Sequence, residues 1–168
     1  KSSDSILVIT PGDNPTVTTF GNVGATSSKW YGGVLAPNGK IYGCPLSATT
    51  VLEITPGETP SFTTFGSLSA SSNKWSGGTL GPDGKVYCMP ASATEILVID
   101  PETQTTSTFG SLPVGNWKWE GGILGSDDKC EEKTLHTNCI WGDNDKNIEI
   151  TLVSDKVSLY SKTGLDAK

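Results

Sequence analysis

The phrase Lys-Trp-x-Gly-Gly-x-Leu occurs three times in this chain, beginning at Lys29, Lys74 and Lys118. A second phrase, a short apolar run that ends in Thr-Pro or Asp-Pro, also returns three times. The copies lie about 45 residues apart, a period typical of propellers and helical arrays, whose units bury apolar surface against their neighbours. The sequence therefore predicts an array of one repeated unit.

The residue types within a unit distinguish between these two architectures. Val, Ile, Thr, Tyr and Phe are concentrated in runs of four to six residues, which suit pleated strands. Pro37-Asn38-Gly39 and Pro82-Asp83-Gly84 place turn-forming residues between two such runs, as a hairpin requires. For one unit we expect four strands, near residues 32–37, 40–44, 50–55 and 61–65.

Four antiparallel strands in 45 residues make the blade of a β-propeller. We therefore expect an all-β fold, a propeller-type array of four-stranded antiparallel blades in a single domain, with about 3.5 to 4 repeats. The Gly-Gly pair is expected to allow close backbone approach near the axis. The units are a half repeat at 1–21, repeats at 29–66 and 74–110, and a degenerate repeat at 118–164 with an insertion at 130–139.

The number of units raises a question about closure, because closed propellers have roughly four to eight blades. The chain opens inside a unit, at its third strand. The open edge indicates a partial propeller, a segment of a longer protein, or a half-blade that the other end of the chain or another subunit completes. An open strand edge left alone would invite aggregation.

Three parts of the unit resemble a known family. Gly-Gly in the first strand, Gly-Lys-Ile-Tyr in the second and Val-x-x-Ile-Asp/Thr-Pro in the third resemble Kelch-type propeller repeats. The longer form Trp-x-Gly-Gly-x-Leu-x-Pro-Asn/Asp-Gly-Lys-Ile/Val-Tyr is similar to repeats in uncharacterised algal and protist propeller proteins. The resemblance covers roughly residues 5–129 and implies the propeller fold. Some Kelch-like propellers are enzymes.

The four cysteines fall into two settings. Cys130 and Cys139 bracket the insertion, where a disulfide would close the loop, with two free thiols as the alternative. Cys44 and Cys88 end the second strands of adjacent units one position out of register, so alternation points them to opposite faces. We expect these two to be buried single thiols. The proposed disulfide favours an oxidising compartment, either secreted or an organelle lumen.

Charge and composition restrict the partners. The net charge is −6, and all twelve basic residues are Lys. The lack of Arg and of a basic surface argues against nucleic acid. No apolar run approaches the roughly 18 residues of a membrane span. We expect a protein partner or larger complex, with a glycan as the other possibility.

Candidate catalytic residues are few. His136, the only His, lies in the insertion, where an exposed loop residue is the simplest interpretation. No Gly-x-Ser-x-Gly nucleophile motif occurs. The run from Asp143 to Asn147 alternates oxygen ligands but lacks the Gly and Glu of a calcium loop, so a polar hairpin is favoured. No catalytic residue, metal site or cofactor is therefore predicted.

The repeated aromatic residues are the remaining candidates for a site. Trp30, Trp75 and Trp119 could form a ring of binding positions, or each could pack between blades as a core residue. Trp117 has no counterpart in the other units and is the better candidate for a unit-specific surface. With His136 in the inserted loop, these four residues make up the predicted binding set.

Three functions remain open at this stage. The first is a non-catalytic interaction or structural module, an accessory subunit or scaffold in a larger assembly, and it is the one we expect. The second is a carbohydrate-binding, lectin-like propeller. The third is an enzyme whose site lies on the divergent loops around residues 130–139.

Overall fold

The structure is a computed structural model that describes residues 3–125, 137–143, 146–153 and 156–161. These ranges contain fourteen strands and no helix. The strands form one two-stranded sheet and three four-stranded sheets, all antiparallel. The all-β, propeller-type expectation is confirmed. None of the described segments is an apolar helix of membrane-spanning length.

Each sheet is one blade, and consecutive strands in the chain are neighbours in the sheet. Blade A consists of β1 (Ile6–Thr10) and β2 (Thr16–Phe20). Blade B consists of β3 (Trp30–Leu35), β4 (Ile41–Pro45), β5 (Val51–Thr55) and β6 (Ser61–Phe65). Blade C consists of β7 (Trp75–Leu80), β8 (Val86–Pro90), β9 (Ile96–Asp100) and β10 (Thr105–Phe109). Blade D consists of β11 (Ile123–Gly125), β12 (Thr137–Asp143), β13 (Lys146–Val153) and β14 (Lys156–Ser161).

Tight turns join the first two strands of blades B and C. Gly39 and Gly84 have φ values of 77° and 78°, which a residue with a side chain rarely adopts. In blade B the side-chain oxygen of Asn38 accepts a hydrogen bond from the backbone N–H of Lys40 at 3.1 Å. The predicted hairpins are therefore present, and the Asx and Gly residues of the repeat shape them.

The first strand of blade B starts earlier than predicted and contains a β-bulge. Trp30 pairs with Pro45 and Gly33 with Gly43, so β3 has one residue more than β4 between these pairs. Gly32 lies in the bulge with a φ of 71°. The register of β7 shifts at the equivalent place. A bulge of this kind turns the neighbouring side chain away from the regular alternation of the strand.

The bulge glycines bring adjacent blades together at their innermost strands. A Cβ atom added to Gly32 would lie 3.0 Å from the Cα of Gly77, and one added to Gly77 would lie 3.0 Å from the Cα of Gly121. Such a distance is tighter than nine in ten real Cβ contacts, and the positive φ adds strain for any other residue. The close backbone approach expected of the Gly-Gly pair is thus observed.

The main hydrophobic core lies between blades B and C. It contains Val34, Ala36, Tyr42, Cys44, Val51, Trp75, Val86, Cys88, Leu97 and Ile99. Since each of these sheets presents one face to the other, neither blade would bury its apolar side chains alone.

A disulfide joins Cys44 of β4 to Cys88 of β8, with a Cα–Cα distance of 5.9 Å. The expectation of two single thiols was therefore wrong. Because the two cysteines are offset by one position, Cys44 lies on one face of its sheet and Cys88 on the opposite face of its own sheet. Adjacent blades stack face to face, so these two faces are in contact and the cysteines meet. The bond closes a 44-residue separation and supports the coarser expectation of a disulfide suited to an oxidising compartment.

The other predicted disulfide lies outside the part of the chain that can be described. Cys130 falls outside the described residues, as does the side chain of Cys139. Their pairing stays a prediction.

One buried carboxylate holds blade B to blade C. Glu53 is 3% exposed and accepts hydrogen bonds from Lys40 Nζ at 2.7 Å, Tyr42 Oη at 3.1 Å and Gln104 Nε2 at 2.9 Å. Burial raises the pKa of Glu53, but these hydrogen bonds outweigh it and leave the pKa below its ordinary value of 4.5. The charged form of Glu53 therefore stabilises the folded state.

We expect reduction of the Cys44–Cys88 disulfide to destabilise the protein. A crosslink over this separation contributes about 2–4 kcal/mol to the free energy of unfolding, because it restricts the unfolded chain. The measurement is denaturant unfolding of a variant carrying Cys130→Ser and Cys139→Ser, with and without reductant. An unchanged unfolding midpoint after complete reduction contradicts the prediction.

Replacing Glu53 should remove an acid-sensitive part of the stability. We expect Glu53→Gln to cost about 1–3 kcal/mol at neutral pH, since its buried donors lose a charged acceptor. Because the folded pKa is depressed, this contribution is complete above the ordinary value of 4.5 and is lost as pH falls through the lower folded pKa.

Unfolding free energies measured from pH 7 to pH 2 test this dependence on Glu53. The curves of unfolding free energy against pH for the wild type and for Glu53→Gln should converge in acid. Glu58→Gln is the matched control, since Glu58 is exposed in the turn between β5 and β6. A constant difference between wild type and Glu53→Gln at all pH values argues against the assigned cause.

Candidate functional site

The first of the two variable positions of the repeated phrase differs in chemistry from blade to blade. It is Tyr31 in blade B, Ser76 in blade C and Glu120 at the entry to blade D. Each follows the repeated Trp and precedes a glycine with φ near +70°. The innermost strands β3, β7 and β11 contact one another in that order. We call these three residues the axial cluster.

Two members of the axial cluster bond directly. Tyr31 Oη donates a hydrogen bond to Glu120 Oε1 at 2.7 Å, although the residues are 89 positions apart in the chain. The contact reaches from blade B to the entry of blade D, past blade C. It lies on the solvent-exposed side, and Tyr31 itself is 45% exposed. A phenol and a carboxylate are thus held together where a solute has access.

Ser76 is the buried member of the axial cluster. Its side chain is 0% exposed, and its hydroxyl finds no hydrogen-bond partner among the described residues. Its backbone carbonyl accepts a hydrogen bond from the N–H of Gly121 at 2.8 Å. A buried hydroxyl without a partner costs about 1–3 kcal/mol. Such a cost is uncommon in folded proteins and marks this position as a candidate for function.

The hydrogen bond to Glu120 raises the pKa of Tyr31, and the negative charge of Glu120 and slight burial act in the same direction. The phenol therefore keeps its proton beyond the ordinary tyrosine value of 10.0. A protonated phenol beside a carboxylate can supply one proton and accept another. The arrangement thus pairs a proton donor with a proton acceptor.

The repeated lysines tie the loops of neighbouring blades together. Lys74 Nζ donates to the carbonyls of Ala48 at 3.0 Å and Ser71 at 2.8 Å. It also lies 5.8 Å from the ring centroid of Trp75. Burial lowers the pKa of Lys74, as it does for Lys118. Because these contacts recur, they belong to the architecture of the repeat.

Two of the repeated tryptophans also serve this architecture. Trp75 and Trp119 are only 5% and 7% exposed. The indole N–H of Trp75 donates to the carbonyl of Glu95 at 2.9 Å, and that of the half-buried Trp30 to Thr50 at 2.7 Å. Each bond fixes the loop that follows the second strand of the same blade. A ligand-binding role for these rings stays a prediction, and burial leaves little of Trp75 and Trp119 to contact.

Trp117 differs from the other tryptophans because it is exposed, at 46%, and has a φ of 52°. The equivalent residues Ser28 and Asn73 share this left-handed conformation, with φ values of 55° and 56°. Asn tolerates the conformation, whereas a bulky side chain is strained in it. The strain is compatible with the predicted unit-specific surface. His136 lies outside the described residues.

Similar cavities occur beside the repeated Lys-Trp pair in two blades. One of about 450 Å³ is lined by residues including Ser71, Lys74, Trp75 and Thr94. A cavity of about 390 Å³ occupies the same place one blade earlier. The described residues hold no group of three or more His, Cys, Asp or Glu side chains that could bind a metal ion.

Solved structures with the same fold are enzymes. Virginiamycin B lyase from Staphylococcus aureus superposes with a TM-score of 0.70 at 16% identity, over 95% of this chain and 49% of that chain. A streptogramin B lyase superposes with a TM-score of 0.65 at 15% identity, over 92% of this chain and 47% of that chain. A catalytically inactive variant of the Staphylococcus aureus enzyme, solved with quinupristin, superposes with a TM-score of 0.62 at 13% identity. The superposition covers 92% of this chain and 47% of that chain.

These superpositions establish the β-propeller-like fold. This chain spans about half the length of the lyases it matches. No family model matches the chain, and no curated protein does. The expectation of a non-catalytic interaction module or scaffold is contradicted, because the matching propellers are lyases. That expectation rested on the absence of recognisable catalytic motifs. Side chains from different blades can form a site that no local motif reveals.

The axial cluster was not found from the sequence, because its three residues lie far apart in the chain and form no local motif. The available signal was the first of the two variable positions of the repeated phrase, which holds Tyr, Ser and Glu, whereas the second holds Val, Thr and Ile.

Replacing Trp117 with the residue of the preceding blade should stabilise the protein. We expect Trp117→Asn to raise the free energy of unfolding by about 1 kcal/mol, because Asn relieves the left-handed strain. Thermal or denaturant unfolding measures the change. Asn73→Trp is the mirror control and should cost a similar amount. A destabilised Trp117→Asn variant would show that packing outweighs the strain.

Proposed function

We propose that this chain forms the acid–base part of a lyase-type propeller enzyme, with Tyr31 as proton donor and Glu120 as proton acceptor. The 2.7 Å hydrogen bond between them, made across three blades, carries the proposal. The fold shared with lyases supports an enzymatic propeller over a scaffold. The disulfide between blades is in keeping with a protein that works in an oxidising compartment, outside the cell or in an organelle lumen.

The pair can complete an elimination without an external reagent. The Glu120 carboxylate removes a proton from the substrate carbon, and that electron pair forms the new double bond as the bond to the leaving group breaks. The leaving group takes the proton of Tyr31. The protonated Glu120 then returns its proton to the Tyr31 oxygen along their hydrogen bond. Protons and electrons balance, and both residues end in their starting states.

The β-bulge fixes where the proposed pair stands in the repeat. Tyr31 lies at the entry to β3, directly before the bulge glycine, and is 45% exposed. The glycine stack holds the entries of β3, β7 and β11 at close spacing. Rigid elements of this kind pre-organise a proton-transfer pair.

We propose streptogramin B antibiotics as the first substrates to test, because the matching lyases are named for virginiamycin B and streptogramin B, and one was solved with quinupristin. Since this chain spans half of those proteins, the substrate class of the whole protein is part of the proposal. The Kelch affiliation stays a prediction.

Conversion of quinupristin, followed by mass spectrometry of the product, tests the assignment. We expect Tyr31→Phe and Glu120→Gln each to lower kcat/KM by about 10²–10⁴, the usual contribution of a general acid or base. The double variant should lose little more than either single variant, because the two groups act as a unit. Glu58→Gln, an exposed carboxylate outside the axial cluster, is the matched control.

The pH dependence provides an independent check on the role of Tyr31. Because its pKa is raised, wild-type activity should not decline on account of Tyr31 until the pH exceeds the ordinary tyrosine value of 10.0. Product formation that Tyr31→Phe leaves unchanged excludes the phenol as the acid. Absence of any lyase turnover by the wild-type protein on these antibiotics rejects the substrate class.

A further inference from the structure

Ser76 is buried at a position of the repeat where its counterparts are exposed. The first variable position of the phrase is exposed in blade B, where it holds Tyr31, and at the entry to blade D, where it holds Glu120. In blade C the same position holds Ser76, which is 0% exposed. The Ser76 hydroxyl finds no hydrogen-bond partner among the described residues. A polar group is therefore concealed where the repeat otherwise faces solvent.

The hydrogen bond between Tyr31 and Glu120 spans the position of Ser76. Each of the three residues directly precedes a bulge glycine, and the bulge glycine of blade C packs against those on either side of it. Strand β7 likewise contacts both β3 and β11. Ser76 therefore lies between Tyr31 and Glu120, whose side chains meet at 2.7 Å across it.

We propose that the Tyr31–Glu120 hydrogen bond is a gate over Ser76, and that a substrate entering between the two side chains receives a hydrogen bond from the uncovered Ser76 hydroxyl. The bond joins two exposed side chains, so it can open without any movement of the core. The backbone of Ser76 stays in place, because its carbonyl accepts the N–H of Gly121 at 2.8 Å. The open gate thus presents the hydroxyl at a fixed position.

The chemistry of the elimination indicates which substrate group the hydroxyl would bind, and this step rests on the proposed function. Glu120 takes a proton from carbon, and Tyr31 protonates the leaving group. A carboxylate removes a carbon-bound proton readily only when a neighbouring acceptor, such as a carbonyl, takes up the negative charge. A hydroxyl between the base and the acid can donate to that oxygen as the charge develops. The substrate class is therefore a compound with a carbonyl beside the reacting carbon.

The size of Ser76 alone does not account for the choice of residue. A small side chain is needed beneath the bond between Tyr31 and Glu120, but Ala or Gly would meet that need without a buried polar group. The hydroxyl is unsatisfied only while the gate is closed. Its presence is explained if it finds a partner in the open state.

Chemical labelling tests the gate without any turnover. Ser76→Cys is placed in the background of Cys130→Ser and Cys139→Ser, in which the other two cysteines form the disulfide between blades. Iodoacetamide alkylates the introduced thiol, with loss of iodide, when the gate is open. We expect labelling to be at least about tenfold faster with Tyr31→Phe than with Tyr31, because the lost hydrogen bond held the gate closed. Tyr31→Ala, which also removes the ring, should label at least as fast.

Ser92→Cys in the same background is the matched control for labelling. The Ser92 hydroxyl is also buried without a partner among the described residues, but it belongs to the loop after β8. Its labelling rate should not change with Tyr31→Phe or Tyr31→Ala. Equal acceleration at both sites would show a general loosening of the fold and overturn the gate. So would labelling of Ser76→Cys at the same rate with and without the Tyr31 side chain.

The contact between Ser76 and the substrate has a separate test with quinupristin. We expect Ser76→Ala to lower kcat by about 10²–10³ with KM little changed, as for a donor that acts only in the transition state. Ser92→Ala should leave both constants unchanged. An unchanged kcat in Ser76→Ala would overturn the role of the hydroxyl. Absence of turnover by the wild type would reject the proposed function, and the labelling rates would still decide for or against the gate.

Discussion

The rest of the structure depends on the contact between bulge glycines of adjacent blades. Gly77 lies so close to Gly32 and to Gly121 that a Cβ atom between them would be crowded, and each of the three glycines holds a positive φ. This contact sets the distance between the innermost strands. It also places the residue before each glycine at the strand entry, where Tyr31 lies within hydrogen-bond distance of Glu120. The same glycines thus determine how the blades stack and where the proposed acid–base pair lies.

Away from the axis, three different interactions hold blade B to blade C. Apolar side chains from both sheets form the core, the Cys44–Cys88 disulfide crosses it, and the buried Glu53 carboxylate collects donors from both blades. A repeat protein gains most of its stability at such interfaces, since a single unit cannot bury both of its faces. This interface makes the axial cluster rigid, although none of the groups that form the interface belongs to the cluster. The proposed acid–base chemistry and the stability of the interface should therefore be separable by mutation.

The proposed enzymatic role depends on a departure from the repeat. Tyr31, Ser76 and Glu120 occupy one position of the phrase in three blades that share the surrounding Trp and glycines. The repeat thus serves as its own internal reference, and the departure from it marks the residues proposed for the reaction.

The sequence by itself determined the blades, their hairpins and the place of the bulge glycines, because β-propensity, Asx-Gly turns and the 45-residue period are local properties. It predicted three of the four strands of blade B to within one residue of their observed bounds, and the first two residues late, near 32–37 where β3 spans Trp30–Leu35. Only the tertiary structure decided that Cys44 meets Cys88 and that Tyr31 meets Glu120. Both contacts join different blades, and whether two such residues meet depends on which faces adjacent sheets present to each other. No alternation pattern within one strand contains that information.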